Sequence, residues 1–223
     1  MHAERTRAGA DARPVASIRA RAVVIAGPPA SGKTTLGAAL AGALHYAFID
    51  LDIVTGTMTR AALALSGAEE TALDGELGAG LRDARYGALL DTTVANLNIG
   101  LGVVLSGPFT RERTDPARWE AIRERLGGTE VPLICLSLEE PLRSERMRAR
   151  GATRDRSKLG RDAAAARACA CEEPTSTTIP GAIRLDGDAH PNALLEAALT
   201  ALDGTAGSFR RPEPEQTSPR SRC

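Results

Sequence analysis

Two rhythms of apolar positions alternate along the chain. Short unbroken apolar runs recur at Ala22 to Ala26, Ala47 to Leu51, Val103 to Ser106, Pro132 to Leu138 and Ala182 to Leu185. Runs of this kind suit parallel strands covered on both faces. Between them lie stretches with helical spacing: Thr35 to about Leu44, Thr57 to Leu65, Gly80 to Leu97, Pro116 to Leu126, Glu140 to Arg150, a further segment to about Cys171, and Asn192 to Leu202. Within Gly80 to Leu97, the residues Leu81, Ala84, Ala88, Leu89, Thr92 and Leu97 fall near one face. Asp115 stands where an N-cap belongs, directly before Pro116, and Gly127-Gly128 closes that helix. Ser66 to Ala79 reads as a polar, glycine-bearing connection. Strand and helix in alternation predict an α/β fold built on one parallel sheet with right-handed crossovers. No internal repeat interrupts the pattern.

Composition narrows the picture without changing it. A chain of 223 residues with 43% hydrophobic and 25% charged positions suits one globular domain. Aromatics are only 3%, so Ala, Leu, Val and Ile must fill the core. The net charge is zero, which argues against a general attraction to nucleic acid or an acidic membrane. No apolar run approaches the ~20 residues of a membrane span. Met1 to Ala20 is polar and rich in Arg and Ala, with no apolar core of a secretory signal, and reads as a disordered tail. The segment from Gly204 to Cys223, with Pro212, Pro214 and Pro219, reads as a second one. The domain is therefore expected over 21–203. Cys135 lies in an apolar run and reads as a buried small hydrophobe, while Cys169, Cys171 and Cys223 match no common zinc spacing. Scattered cysteines without a disulfide framework point to a reduced, cytoplasmic protein.

The chemistry begins after the first apolar run. Gly27-Pro28-Pro29-Ala30-Ser31-Gly32-Lys33-Thr34 is G-x-x-x-x-G-K-T between a strand and a helix, the context of a phosphate-binding P-loop. Backbone N–H groups at such a loop and helix start converge on a polyphosphate. Pro28 and Pro29 have no N–H, so the cradle must come from Ala30, Ser31, Gly32, Lys33, Thr34 and Thr35, with Gly27 and Gly32 allowing close approach. Lys33 is expected to reach the β- and γ-phosphates of ATP, and the Thr34 hydroxyl to ligate Mg²⁺.

In a parallel sheet the carboxyl ends of the strands share one crevice. The second strand ends at Asp50 and Asp52. Residues i and i+2 of a strand face the same way, so the two carboxylates are expected to point together. Asp52 is read as the general base for an acceptor hydroxyl and Asp50 as holding Mg²⁺ through water, with capping of the next element as the other role open to each. Further on, Arg143 to Arg167 holds nine basic and three acidic residues, a net +6 in a neutral chain. A solvated helix face and a nucleic-acid patch are two readings, the latter lacking interleaved aromatics. The third is a lid over about 146–160, hinged at Gly151, whose Arg146, Arg150 and Arg154 neutralise the transferring phosphoryl.

These residues together resemble the small P-loop kinase family, which includes shikimate kinase, gluconate kinase, chloramphenicol phosphotransferase and many bacterial kinase-like proteins named only as AAA-family ATPases. The resemblance rests on Gly27 to Thr34, Asp50-Leu51-Asp52, Val103 to Phe109, and Arg146 through Leu159. It covers about Arg21 to Leu202. It implies a P-loop NTPase fold: three α/β/α layers, a five-stranded parallel sheet of order 2-3-1-4-5, an arginine-rich lid, and Mg-ATP as phosphoryl donor. The acidic pair falls on Asp50 and Asp52, and the family's substrate-binding helix on Leu81 to Tyr86. There Arg82 and Tyr86, one turn apart, are placed to meet an anionic or hydroxylated acceptor, a surface role for Arg82 being the alternative. The adenine loop would fall near Asp186 to Pro191. The third strand lacks a terminal Asp and the Gly-Gly-Gly of shikimate kinases, so the acceptor is open. The resulting expectation is a kinase acting on a small hydroxylated molecule, as monomer or homodimer, with no nucleic-acid or membrane partner. A nucleotide-binding regulatory module and a toxin-type sugar-nucleotide kinase are the alternatives.

Overall fold

The computed structural model describes residues 21–68, 76–128, 131–151 and 177–204. The expected tails, the helix ending near Cys171, Cys169, Cys171, Cys223, Arg154 and most of the expected lid lie outside the described residues. In chain order the elements are β1 (Ala22–Ala26), α1 (Lys33–Leu44), β2 (Ala47–Asp50), α2 (Leu51–Leu65), α3 (Glu76–Asn98), β3 (Val103–Ser106), α4 (Pro116–Arg125), β4 (Leu133–Ser137), α5 (Glu140–Arg150), β5 (Ile183–Asp186) and α6 (Pro191–Gly204).

The strands form one five-stranded sheet of order β2-β3-β1-β4-β5, every pair parallel; the apolar pattern leads one to expect the parallel sheet, and the family resemblance its order. The apolar runs explain the layering. Alternate residues of β1 point to opposite faces. Val23 and Ile25 pack with Val104, Ile134 and Leu136 against Leu36, Leu40 and Leu44 of α1 and Leu194, Ala198 and Leu202 of α6. Ala22, Val24 and Ala26 pack with Leu105, Leu133 and Cys135 against Tyr86, Leu89 and Leu90 of α3 and Trp119 and Ile122 of α4. Each fully buried Leu or Ile contributes about 1.5–3 kcal/mol. Cys135 is buried in this second layer as a small hydrophobe.

Local signals set the helix ends where they are legible. Asp115 accepts from the N–H groups of Ala117 (3.0 Å) and Arg118 (3.3 Å), capping α4 before Pro116. Two helices begin earlier than expected: α3 at Glu76 rather than Gly80, inside the stretch read as a connection, and α2 at Leu51 rather than Thr57. Its buried face is Leu51, Thr55, Thr59 and Leu63, four residues apart. Two of those four are threonines, which conceals the apolar stripe. The Thr55 hydroxyl donates to the Leu51 carbonyl and that of Thr59 to Thr55 (2.8 Å), so both polar tips are satisfied inside the helix.

Candidate active site

β1 delivers the loop Gly27 to Gly32 to the amino end of α1. Gly27 has φ 152°, and a Cβ there would lie 2.7 Å from the Leu136 carbonyl oxygen, so β4 closes one side of the loop. Gly32 caps α1 in the left-handed region at φ 89°. Ala30 also has positive φ, 60°, a conformation L-residues adopt only when their surroundings impose it. The Lys33 ammonium arches back to donate to the Pro28 carbonyl. The loop is thus a closed ring ahead of a helix whose first N–H groups have no partner within that helix. Ser31 is fully buried and its Oγ has no hydrogen-bond partner among the described residues.

Asp50 joins three elements here. Its Oδ2 accepts from the Thr34 hydroxyl (3.1 Å) and the Ser106 hydroxyl (2.9 Å); its Oδ1 accepts from the N–H groups of Asp52 (2.9 Å) and Ile53 (3.2 Å). The strand register explains the meeting, because Asp50 pairs opposite Ser106 at the carboxyl ends of β2 and β3. Ser106 therefore stands where a strand-end carboxylate is missing.

The expectation that Asp50 and Asp52 point together from one strand is corrected. The strand ends at Asp50, which caps α2, and Asp52 already sits in the first helical turn. The period-2 argument fails because the chain changes from strand to helix with no residue between. Asp50 is 6% exposed, whereas the Asp52 side chain is 46% exposed and pairs with Arg85 (Oδ1 to Nη2, 2.7 Å). Arg85 Nε also donates to the Thr55 hydroxyl at 2.9 Å, which fixes the guanidinium.

Arg82 and Tyr86 are neighbours, with the guanidinium 4.4 Å from the ring centroid. Arg82 turns to Glu112, with Nη2 2.9 Å from each carboxylate oxygen. Burial pulls the Arg82 pKa down, but the hydrogen bond and charge of Glu112 outweigh it and the net shift is upward. Tyr86 is buried; its hydroxyl accepts from the Phe109 N–H (2.8 Å), and its ring meets that of Phe109 edge-on at 5.2 Å. Burial, then the negative charge of Glu112, pushes the Tyr86 pKa up to about 12. Tyr86 thus anchors the loop after β3, where the bulky Phe109 is held at φ 44°. That strain is on the order of 1–3 kcal/mol.

On the opposite side of the P-loop, the sequence reading aims Arg146 at the transferring phosphoryl. Its guanidinium instead spans the loop after β5, donating to the Gly187 carbonyl (2.7 Å) and the Asp188 carboxylate (2.9 Å). Gly187 packs directly on the P-loop: a Cβ there would lie 2.6 Å from the Ser31 carbonyl oxygen and 2.7 Å from that of Ser137. Arg150 closes α5 just before Gly151, which ends it at φ 60°.

The oxygen donors Thr34 and Asp50 fit Mg²⁺, which takes hard oxygen ligands from one or two carboxylates plus phosphates and waters rather than from a protein cage. Arg85 and Glu112 are site residues missed at the level of sequence, whereas Ser106, legible there as a strand end at the crevice, is given no contact with Asp50. Arg85 carried a signal: it lies four residues from both Leu81 and Leu89, so an arginine occupies the inward face of α3.

Residues 23–174 match the family described as an AAA domain. No curated protein matches the sequence. Among solved structures, a gluconokinase from Sinorhizobium meliloti 1021 superposes with a TM-score of 0.53 at 20% identity, over 83% of this chain and 93% of that one. A sugar kinase from Janibacter sp. HTCC2649 gives 0.53 at 22% identity, over 82% and 95%. A shikimate kinase from Acinetobacter baumannii, solved in complex with shikimate, gives 0.50 at 16% identity, over 84% and 96%. At these identities the likeness is one of fold.

Proposed function

Because the chain belongs to the AAA domain family, with the fold of the small P-loop kinases, we propose that it moves the γ-phosphoryl of Mg-ATP to a hydroxyl of a small acceptor. The observation that carries this reading is the junction at Asp50. There the P-loop hydroxyl of Thr34, the β3 hydroxyl of Ser106 and the start of α2 converge on one carboxylate, two residues from the more open Asp52.

The amides from Ala30 to Thr35 cradle the phosphates, and Lys33 exchanges the Pro28 carbonyl for the β- and γ-phosphates. Thr34 and Asp50 would hold Mg²⁺, which when bound neutralises charge on the phosphates. Asp52, held by Arg85, takes the proton of the acceptor hydroxyl as the phosphorus–oxygen bond forms. The leaving group is ADP. Arg146 braces the loop beneath the nucleobase, and Arg150 and Arg154 serve the phosphoryl side.

Thermal melting and ATP-consumption assays test this. Mg-ATP is expected to raise Tm, and Lys33→Ala to abolish the rise. With a productive acceptor, Asp52→Asn should keep the ATP-dependent rise yet lower turnover by about 10²–10⁴-fold. Unchanged turnover in Asp52→Asn would overturn the base assignment. ATP binding with no acceptor-dependent turnover across hydroxylated metabolites would mark a regulatory module instead.

A further inference from the structure

Among the described residues, the face of α3 turned to Asp52 and Glu112 carries two arginines, and each is already matched. Arg82 and Arg85 stand three residues apart on α3. Glu112, from the loop after β3, takes Arg82 through both oxygens at 2.9 Å. Asp52, at the start of α2, takes Arg85 at 2.7 Å. We propose that the acceptor is an uncharged hydroxyl compound, carrying no carboxylate or other anionic group. This deepens the kinase reading above and rests on it.

The four charges cancel. Asp83, whose side chain is 80% exposed and 3.8 Å from Arg82, adds one negative charge at the rim. An anionic acceptor would have to draw a guanidinium away from its carboxylate. For Arg82 the abandoned partner would be Glu112, whose side chain is 10% exposed, and stripping one member from a buried pair is the costly way to break it. For Arg85 the abandoned partner would be Asp52 itself, and an anion beside it would repel the carboxylate that must approach the hydroxyl. A neutral acceptor meets neither cost. Its hydroxyls donate to the remaining carboxylate lone pairs and accept from the outer guanidinium N–H groups while both ion pairs stay closed. Glu112 and Arg82 are thus specificity-determining residues that act by occupying each other.

The test uses the full chain, matched acceptor pairs and one variant. Gluconate is compared with glucitol, and shikimate with its methyl ester, by kcat/KM with Mg-ATP. The carboxylate-free member of each pair is expected to be favoured about tenfold or more, and Glu112→Gln to shrink that preference. A preference for the carboxylate, or a ratio unmoved by Glu112→Gln, overturns the proposal. A second readout does not depend on turnover: melting of wild type and Glu112→Gln with a non-hydrolysable ATP analogue and sodium gluconate at constant ionic strength. Gluconate should stabilise the variant and not the wild type. Equal responses, including none in either, overturn the proposal. ATP binding with no acceptor used by the wild type strikes the kinase reading alone and leaves the gluconate comparison to decide the charge of the site.

Discussion

Asp50 concentrates more structure than any other single side chain in the site. It caps a helix, ties β2 to β3 through Ser106, and holds Thr34 of the P-loop. Replacing it with Ala removes the cap and strands two hydroxyls, so urea denaturation should show a loss of about 2–4 kcal/mol. Asp50→Asn keeps an acceptor oxygen for the cap and should lose less stability. Tyr86 makes a different prediction, in pH. Its phenol ionises near 10 in the unfolded chain and at about 12 in the folded one, because burial opposes the anion. Below pH 10 both states are protonated and its contribution is intact. Between pH 10 and 12 the unfolded state binds fewer protons, so stability falls as pH rises, by up to about 3 kcal/mol. Tyr86→Phe should flatten that segment of the alkaline melting profile, while costing about 1–2 kcal/mol at neutral pH for the unpartnered Phe109 N–H.

Elements were legible where one periodicity governed them. β1, β3 and α5 have the bounds the apolar pattern implies, and the Asp115-Pro116 signal fixes the start of α4. The site was legible where a motif is contiguous, as from Gly27 to Thr34. It was not legible where a contact depends on which way a side chain turns after a junction. Asp52 leaves the β2 direction because α2 starts without a linker, and only the fold brings Arg85 to it. Glu112 lies in a loop whose path is set by the Tyr86–Phe109 contact, which no local rule encodes. The seam between the P-loop and the loop after β5 is equally invisible in sequence, yet it is sterically exact. Gly187→Ala would push a methyl against two backbone oxygens, which cannot rotate away as a side chain could. Overpacking of this kind costs about 1–3 kcal/mol. The strain falls on Ser31, so ATP titration should show affinity weakened by about tenfold or more, with the sheet still folded.

At the scale of the whole molecule, two apolar layers flank a sheet whose carboxyl edge presents the P-loop, Asp50 and Ser106. Among the described residues no helix is long and apolar enough to cross a membrane. If nucleotide binds only the native state, Mg-ATP at a hundredfold excess over Kd adds about 2.7 kcal/mol, and Lys33→Ala should remove that increment in a melting assay. The contact of Gly187 with Ser31 also orders events in time. A ribosome makes Ser31 of the P-loop 156 residues before Gly187. At about 5–20 residues per second, some ten to thirty seconds separate the two. Until then the nascent chain has β1 and its glycine loop but not the floor on which that loop rests. Full affinity for ATP is therefore expected only after Gly187 has been made and has docked beneath Ser31.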